Sequence, residues 1–299
     1  MLISIEDLLT LVFVIVDDWY KDAGEQIVGR TVGKKPTFSD SEVLTLMLAL
    51  DFFEFTSERR FLAFVRANYL ELFPALLDQS QFNRRARGLS GLLNALRKEL
   101  ALQLGVHFEQ HFLLDTTPVI AVGYHRDKRH SDFLGSAEYG YGASRRLKYY
   151  GYKLVMLTTL DGTPYAFELV PANTDERGTA DEILEALPLD SNVWTDKGFI
   201  GEAWQAEWAE HGIHVWTAKR ENQQVQNSPE FDRLLNKVRE RVEGAFDILK
   251  EGGRSVEHTL AHTVSGLCSR IIAKITSVTL RLFLRRYFGI DVLTYTVNA

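Results

Sequence analysis

Cysteine is almost absent from this sequence, which has only Cys268 among its 299 residues. A single thiol excludes an internal disulfide and any zinc site built from several cysteines. It is typical of a protein that stays in a reducing compartment, so we expect a cytoplasmic location.

Hydrophobic runs long enough to cross a bilayer are also missing. The apolar run LLTLVFVIV at residues 8–16 is too short to span a membrane, has acids on both sides and follows no basic leader. We therefore predict a core helix there, and neither a signal peptide nor a membrane anchor. With 45% hydrophobic residues, the chain can bury a sizeable core and divide into two domains.

An excess of positive charge is lacking overall, since the formal net charge is −6, but the charge is unevenly distributed. The net charge is +4 over residues 123–153, −10 over residues 154–231 and +4 over residues 232–299. An acidic centre between basic flanks can hold cations in a pocket and a polyanion around it. A solvated acidic surface also explains such a balance.

Strand patterns are absent from residues 1–105, which predict helices only. Ser39 and Glu42 form a capping box ahead of an apolar run, and Ser80 is expected to open a later helix. A basic cluster follows near that helix start and consists of Arg84, Arg85 and Arg87. We interpret residues 1–105 as a helical, helix-turn-helix-like domain that contacts DNA. The alternative is a helical domain whose arginines are merely solvated.

The pattern changes after residue 105. An apolar run at residues 111–114 ends in Asp115, and Pro118 keeps the following residues out of a helix. Residues 125–153 lack clear periodicity and are predicted to be an exposed loop. A hairpin around DGTP comes next, and then helices alternate with strands. This order predicts an α/β fold over residues 106–252, with a mixed sheet covered by helices on both faces, followed by a helical extension at residues 253–299.

The last helix of that order, residues 231–250, has the clearest periodicity. Its apolar stripe consists of Phe231, Leu235, Val238, Val242, Ala245 and Leu249. Glu243 lies at the edge of this stripe together with Arg239 and Lys250, whereas Glu240 should point into water. Arg239 and Glu243 also have the i, i+4 spacing of an ordinary surface pair.

Three acids come from elements that can meet at one end of such a sheet: Asp115, Asp196 and Glu243. Carboxylates are hard ligands that suit Mg²⁺, and two such ions about 3.5–4 Å apart can promote in-line phosphoryl displacement. Individually, Asp115 also fits a strand-end turn and Asp196 also fits a helix N-cap. Taken together, the order of elements favours a metal site.

The exposed loop predicted at residues 125–153 combines cations with tyrosines. Arg145, Arg146 and Lys148 interleave with Tyr141, Tyr149 and Tyr150. This pattern suits phosphate contacts together with stacking on unpaired bases. A tyrosine-rich segment packed against a sheet edge explains it as well. Farther on, residues 257–288 predict a packing or dimerising helix with a basic face.

The acids, the element order and the last helix together resemble the DDE transposases of bacterial insertion sequences. Arg239, Glu243 and Lys250 match the Tyr-x2-Arg-x3-Glu-x6-Lys signature of many of these enzymes, with Asn236 at the tyrosine position. The contexts LLDTTP, YYGYKL, WTDKGF and RERVEGAFDILK, with TFSDSEVL and SQFNRRAR nearer the N-terminus, resemble the insertion sequence 982 group.

The resemblance implies a ribonuclease-H-like catalytic domain that cleaves DNA at the ends of its element and transfers the freed 3′-hydroxyl into target DNA. It implies that Asp115, Asp196 and Glu243 bind two Mg²⁺ ions, with Mn²⁺ as a substitute. Arg239, Lys250 and Lys197 would hold DNA or order the carboxylates.

The partners implied are double-stranded DNA, as terminal inverted repeats and as target, and further copies of the chain in a dimer or larger synaptic assembly at the nucleoid. A membrane is not among the expected partners. The alternatives are a catalytically silent DNA-binding protein and a related nuclease that only hydrolyses.

Overall fold

The computed structural model describes residues 3–29, 36–126, 128–142, 146–219, 227–250, 254–257 and 259–292, without the side chains of residues 197, 239, 241–243, 245 and 246. The chain divides into two compact units. The first, called the helical unit here, contains residues 1–100 and 249–299, and the second, called the sheet unit, contains residues 101–248. The sequence placed residues 253–299 in a separate extension, whereas here they belong to the helical unit.

The helical unit begins with α1, whose cap and core agree with the predicted core helix. Ser4 accepts a hydrogen bond from the Asp7 N–H at 3.0 Å, and Leu8, Leu9, Val12 and Val16 are buried. The helices are α1 Ile5–Trp19, α2 Glu25–Val28, α3 Asp40–Ala49, α4 Glu58–Asn68, α5 Gln79–Gly88, α6 Ser90–Gln103, which crosses the unit boundary, and α10 Val264–Phe288. A π-helical turn at Tyr20–Gly24 joins α1 to α2, and a 3₁₀ turn at Leu50–Phe52 follows α3.

Helix starts in this unit follow local side-chain chemistry. Ser39 and Glu42 form the predicted capping box, since each side chain accepts a hydrogen bond from the other residue's N–H. The expected start of α5 at Ser80 is wrong, because Asp78 caps the helix by accepting from the Gln81 N–H at 2.8 Å. Aspartate is as good an N-cap as serine, so the helix is capped at Asp78, two residues before Ser80.

The expected basic face of α10 is wrong for its central lysine. Lys274 is 1% exposed, and its Nζ lies 3.0 Å from Oδ1 of Asp51, which is also fully buried. Arg281 donates to the Asp51 carbonyl at 2.7 Å, and Arg270 donates to the Thr56 carbonyl at 3.2 Å. These cations point into the packed unit because they have acceptors there.

The sheet unit contains one mixed six-stranded sheet. Its strands are β1 His111–Val122, β2 Glu138–Gly142, β3 Leu147–Thr159, β4 Pro164–Pro171, β5 Ser191–Thr195 and β6 Ile213–Thr217. Strands β5 and β6 run parallel to β1, while β3 is antiparallel to β1, β2 and β4. The strand order is β2-β3-β1-β5-β6, and β4 also pairs with β3.

The loop predicted at residues 125–153 is partly wrong. Residues 138–142 and 147–151 pair as antiparallel strands, and β3 begins at Leu147. Single-sequence periodicity missed this pairing because glycines and exposed tyrosines in β2 interrupt the apolar alternation. The DGTP hairpin between β3 and β4 is confirmed.

Helices cover both faces of the sheet. On one face, α7 Glu176–Leu184 and α8 Glu202–Glu210 pack on a core that includes Leu114 and Val193. On the other face, Phe231 of α9 Pro229–Lys250 contacts Trp194 and Trp216, with ring centroids 6.2 and 5.4 Å apart. This arrangement confirms the predicted ribonuclease-H-like fold class with a helical N-terminal region. No helix within the described ranges combines the length and apolar character that a membrane span requires.

Candidate active site

The first two predicted acids lie side by side where β5 leaves β1. Leu114 and Thr195 are the last parallel pair of β1 and β5. Asp115 directly follows Leu114, and Asp196 directly follows Thr195. The prediction that Asp115 ends its strand is wrong, because β1 continues to Val122 along the long strand β3. The edge at which both acids lie is therefore formed by the end of β5.

Both carboxylates are oriented by backbone amides. The Thr116 N–H donates to Oδ1 of Asp115 at 2.7 Å, and the Gly198 N–H donates to Oδ1 of Asp196 at 2.7 Å. Asp196 caps the 3₁₀ turn Lys197–Phe199, so it has the capping role that the sequence suggested as an alternative. An ionised carboxylate has about four lone-pair sites, so a carboxylate that a backbone amide orients can also bind a cation.

Gly198 makes the turn after Asp196 possible. A Cβ at this position would lie 2.9 Å from Oδ1 of Asp196 and 3.0 Å from Oε2 of Glu176. Both distances are shorter than ordinary carbon–oxygen contacts, so only glycine lets the two carboxylates approach this turn without displacement.

Glu176 is a site neighbour whose place in the sequence suits either a residue behind metal ligands or a turn residue, and the turn was the favoured interpretation. It is the first residue of α7, after Asp175, which caps the helix by accepting from the Gly178 N–H at 3.2 Å. Its Oε1 accepts from the Thr116 hydroxyl at 3.3 Å and lies 3.1 Å from Nζ of Lys153. No sequence spacing links these residues, since they come from three different elements.

The third predicted acid lies on the helix that covers the Asp115 side of the sheet. Leu114 faces α7 and α8, so Asp115, the next residue in the strand, faces the side covered by α9. Glu240 is exposed, as predicted, while the side chains of Glu243 and Arg239 lie outside the description. Among the described side chains, which exclude Glu243, no group of three potential metal ligands is found.

The predicted DNA-contacting cations have different environments. Arg84, Arg146 and Lys148 are exposed. Lys250, the last residue of α9, is half-buried. Arg85 instead donates to the Asp40 carboxylate at 2.6 Å, which gives it a structural role within the helical unit. The side chain of Lys197 and all of Arg145 lie outside the described residues.

The tyrosines of the predicted stacking cluster divide into two groups. Tyr149 and Tyr150 are 3% and 4% exposed, so the sheet-edge alternative is right for them. Tyr141 is 56% exposed. Burial, with a further contribution from the negative charge of Glu176, raises the pKa of Tyr149 to about 12.

No curated protein matches the chain. A cryo-EM structure of a piggyBac transposase synaptic complex with hairpin DNA is similar with a TM-score of 0.49 and 12% identity, over 94% of this chain and 74% of that chain. Residues 106–264, just over half of the chain, match the family described as the transposase DDE domain, and the chain therefore belongs to this family of DNA transposases.

Proposed function

We propose that the protein is a transposase of the insertion sequence 982 group that cleaves DNA at the ends of its own element. The freed 3′-hydroxyl then attacks target DNA. The observation that supports this proposal is that Asp115 and Asp196 each directly follow the last parallel pair of β1 and β5, Leu114 and Thr195, within the matched family domain. The third acid, Glu243, is on α9, whose Phe231 packs on Trp194 and Trp216 on the face to which Asp115 points.

The donor set around this edge fits a hard divalent cation. The acids are oxygen donors, backbone amides orient two of them, and Gly198 keeps the turn free of a Cβ. DDE transposase domains generally use divalent metal ions, and Asp115, Asp196 and Glu243 would hold two Mg²⁺ ions, or Mn²⁺ as a substitute. When bound, the ions supply charge stabilisation at the attacking and leaving oxygens of the phosphodiester.

Basic side chains would hold the DNA around this edge. Arginine binds phosphate oxygens through two parallel hydrogen bonds, and lysine acts as a point charge. We assign this role to Arg239, Lys250, Lys197, Arg145, Arg146 and Lys148 near the catalytic domain, residues 106–252, and to Arg84 in the DNA-end-binding domain, residues 1–105. Arg85 supports the DNA-end-binding domain indirectly, since its guanidinium is paired with the Asp40 carboxylate.

Two ends of one element have to be brought together before strand transfer. One protomer per end gives a homodimer or a larger synaptic assembly on double-stranded DNA. Light scattering of the complex with paired ends should therefore give at least two protomers, and a single protomer would contradict this assembly.

The proposal is tested by cleavage of DNA that carries the flanks of the gene, with Mg²⁺. Wild-type protein should cut at the flanks and leave free 3′-hydroxyls, and Glu243→Gln should lose this activity. Glu240→Gln is the matched control, because Glu240 lies three residues earlier on the same helix and is exposed. Binding without cutting under any divalent ion would support the silent DNA-binding alternative, and cutting without joining to target DNA would support the nuclease.

Gly198→Ala should reduce cleavage by about tenfold to a hundredfold, the range seen when residues that orient metal ligands are changed. The added methyl group would displace the carboxylate of Asp196 or that of Glu176. Initial rates at several Mg²⁺ concentrations measure the effect. Gly244→Ala is the control, since a Cβ there has no neighbour within 4 Å among the described side chains, and its rate should equal that of wild type.

A further inference from the structure

Glu176 contacts the residues that orient both aspartates. Its Oε1 accepts from the hydroxyl of Thr116, whose own N–H donates to Asp115. Its Oε2 faces Gly198, whose N–H donates to Asp196. The Glu176 carboxylate therefore contacts the residue that orients Asp115 and approaches the residue that orients Asp196.

Lys153 determines how Glu176 is oriented. Its Nζ lies 3.1 Å from Oε1 of Glu176 and donates to the Thr174 carbonyl at 3.2 Å. The side chains of Lys153 and Glu176 are 18% and 27% exposed, so the pair is largely shielded from water. Because Oε1 accepts from both Thr116 and Lys153, Oε2 remains turned toward the Gly198 turn.

We propose that Glu176 is a positioning residue that holds Asp115 and Asp196 in register for metal binding. The inference rests on the proposed function, because it concerns the same pair of acids. Glu176 acts through Thr116 and Gly198 and touches neither the metal nor the DNA. Loss of its charge should loosen both aspartates and leave Lys153 without its ionic partner.

The test measures binding of Mn²⁺ alone, by electron paramagnetic resonance of the free ion, to full-length protein. Glu176→Gln should raise the Mn²⁺ dissociation constant about tenfold, as is typical of residues behind metal ligands. Circular dichroism should show that the variant is folded. Asp175→Ala is the control, because it removes the N-cap of α7 but leaves Glu176 in place, and it should bind Mn²⁺ as wild type does.

The outcomes separate this inference from the proposed function. If wild type binds Mn²⁺, Asp115→Asn does not, and Glu176→Gln binds as wild type does, the positioning role is wrong and the proposed function stands. An equal loss in Asp175→Ala would also overturn it, since the effect would then come from the start of α7. If wild type itself does not bind Mn²⁺, the proposed metal site is wrong.

A separate observation concerns the hairpin formed by β2 and β3, which has two chemically different faces. On the inner face, Gly140 packs so closely on Tyr149 and Ala172 that an added Cβ would lie 2.7 Å from each. On the outer face, Tyr139 pairs with Tyr150, and Tyr141 pairs with Lys148. Tyr139 and Tyr141 are 51% and 56% exposed, which leaves large aromatic area on this outer face.

Lys128 and Tyr124 complete the outer face. The Nζ of Lys128 lies 5.7, 5.1 and 5.5 Å from the ring centroids of Tyr124, Tyr139 and Tyr150. The rings of Tyr124 and Tyr139 meet edge to face at 5.7 Å. These cation–π and ring contacts hold the tyrosines in fixed orientations and place positive charge among them.

We infer that the outer face of this hairpin binds unpaired nucleotides of the DNA on which the enzyme acts. Exposed tyrosine rings stack on bases of any sequence, and Tyr139 is preoriented by its contacts with Lys128 and Tyr124. The exposed cations Lys148 and Arg146 suit the phosphates between the bases. The inference rests on the proposed function for the identity of the ligand as DNA. A duplex presents its phosphates but keeps its bases stacked, so it would use the cations only.

Fluorescence anisotropy with two labelled DNAs tests this, one a blunt duplex and the other the same duplex with an unpaired thymidine tail. Tyr141→Ala should weaken binding of the tailed DNA about tenfold and leave the blunt duplex unchanged. Tyr141→Phe should bind both as wild type does, because it keeps the ring. Tyr287→Ala is the matched control, since Tyr287 is 52% exposed in the helical unit.

Equal loss for both DNAs in Tyr141→Ala would overturn the assignment to unpaired nucleotides. Unchanged binding of both DNAs in Tyr141→Ala and in a Tyr139→Ala variant would show that the outer face of the hairpin does not bind DNA. If wild type binds neither DNA, the proposed function is wrong, and that result is distinct from both.

Discussion

Asp115→Asn is expected to lower Mg²⁺-dependent cleavage of the flanking DNA by about 10²- to 10³-fold, on the scale of removing one preorganised electrostatic group from an active site. The amide keeps the size of the carboxylate but has no negative charge for a cation. The Thr116 N–H can still donate to its oxygen, so the local backbone should persist. Single-turnover cleavage on denaturing gels measures the rate, and an unchanged melting temperature shows that the fold is intact.

Asp190→Asn is the control for this substitution. Asp190 precedes β5 at the opposite end of the strand from Asp196, and its φ of +63° is one that asparagine adopts readily. Cleavage by this variant should equal that of wild type. Normal cleavage by Asp115→Asn would show that Asp115 is not a metal ligand and would remove the main support of the proposed function.

Asp51→Ala is expected to destabilise the protein by about 3–5 kcal/mol, because it removes the buried carboxylate that balances the charge of the buried Lys274. Lys274 and Asp51 are both fully buried and form two contacts of 3.0 and 3.1 Å. Arg281 lies 3.8 Å from the same carboxylate. Chemical denaturation monitored by circular dichroism measures the change.

Two further variants make this prediction specific. Asp51→Leu combined with Lys274→Met should recover much of the lost stability, since apolar residues of similar volume can replace a buried ion pair. Asp291→Ala removes an exposed partner of Arg285 at 3.3 Å and should change stability by less than about 1 kcal/mol. A cost for Asp51→Ala no larger than that of Asp291→Ala would contradict the structural role of the buried pair.

The amphipathic helix α9 and the candidate acids Asp115 and Asp196 could be predicted from the sequence. Leu235 and Leu249 are buried and Glu240 is exposed, as an amphipathic helix requires. Such features depend on residues within a few positions of one another, where helix and strand geometry determines which side chains share a face. The hairpin at DGTP and the capping box at Ser39 have the same local origin.

Other features depend on contacts between distant residues, and local pattern reasoning missed them. The arginines and lysine of α10 were interpreted as a basic face, because the sequence shows their charge but not the buried Asp51 more than two hundred residues earlier. Arg85 was assigned to DNA for the same reason, although Asp40 accepts its hydrogen bond. A charge that has a buried partner cannot be distinguished from a solvated one by spacing alone.

The sequence alone was enough to predict the order of the elements apart from β2, the family resemblance and the candidate acids Asp115 and Asp196, since these follow from local periodicity and short motifs. Tertiary packing was needed to show that Glu176 contacts Thr116 and approaches the Gly198 turn, that residues 138–142 and 147–151 pair as a two-faced hairpin and that Lys274 is buried with Asp51. Each of these depends on strand register or helix packing, which brings together side chains that no local spacing relates.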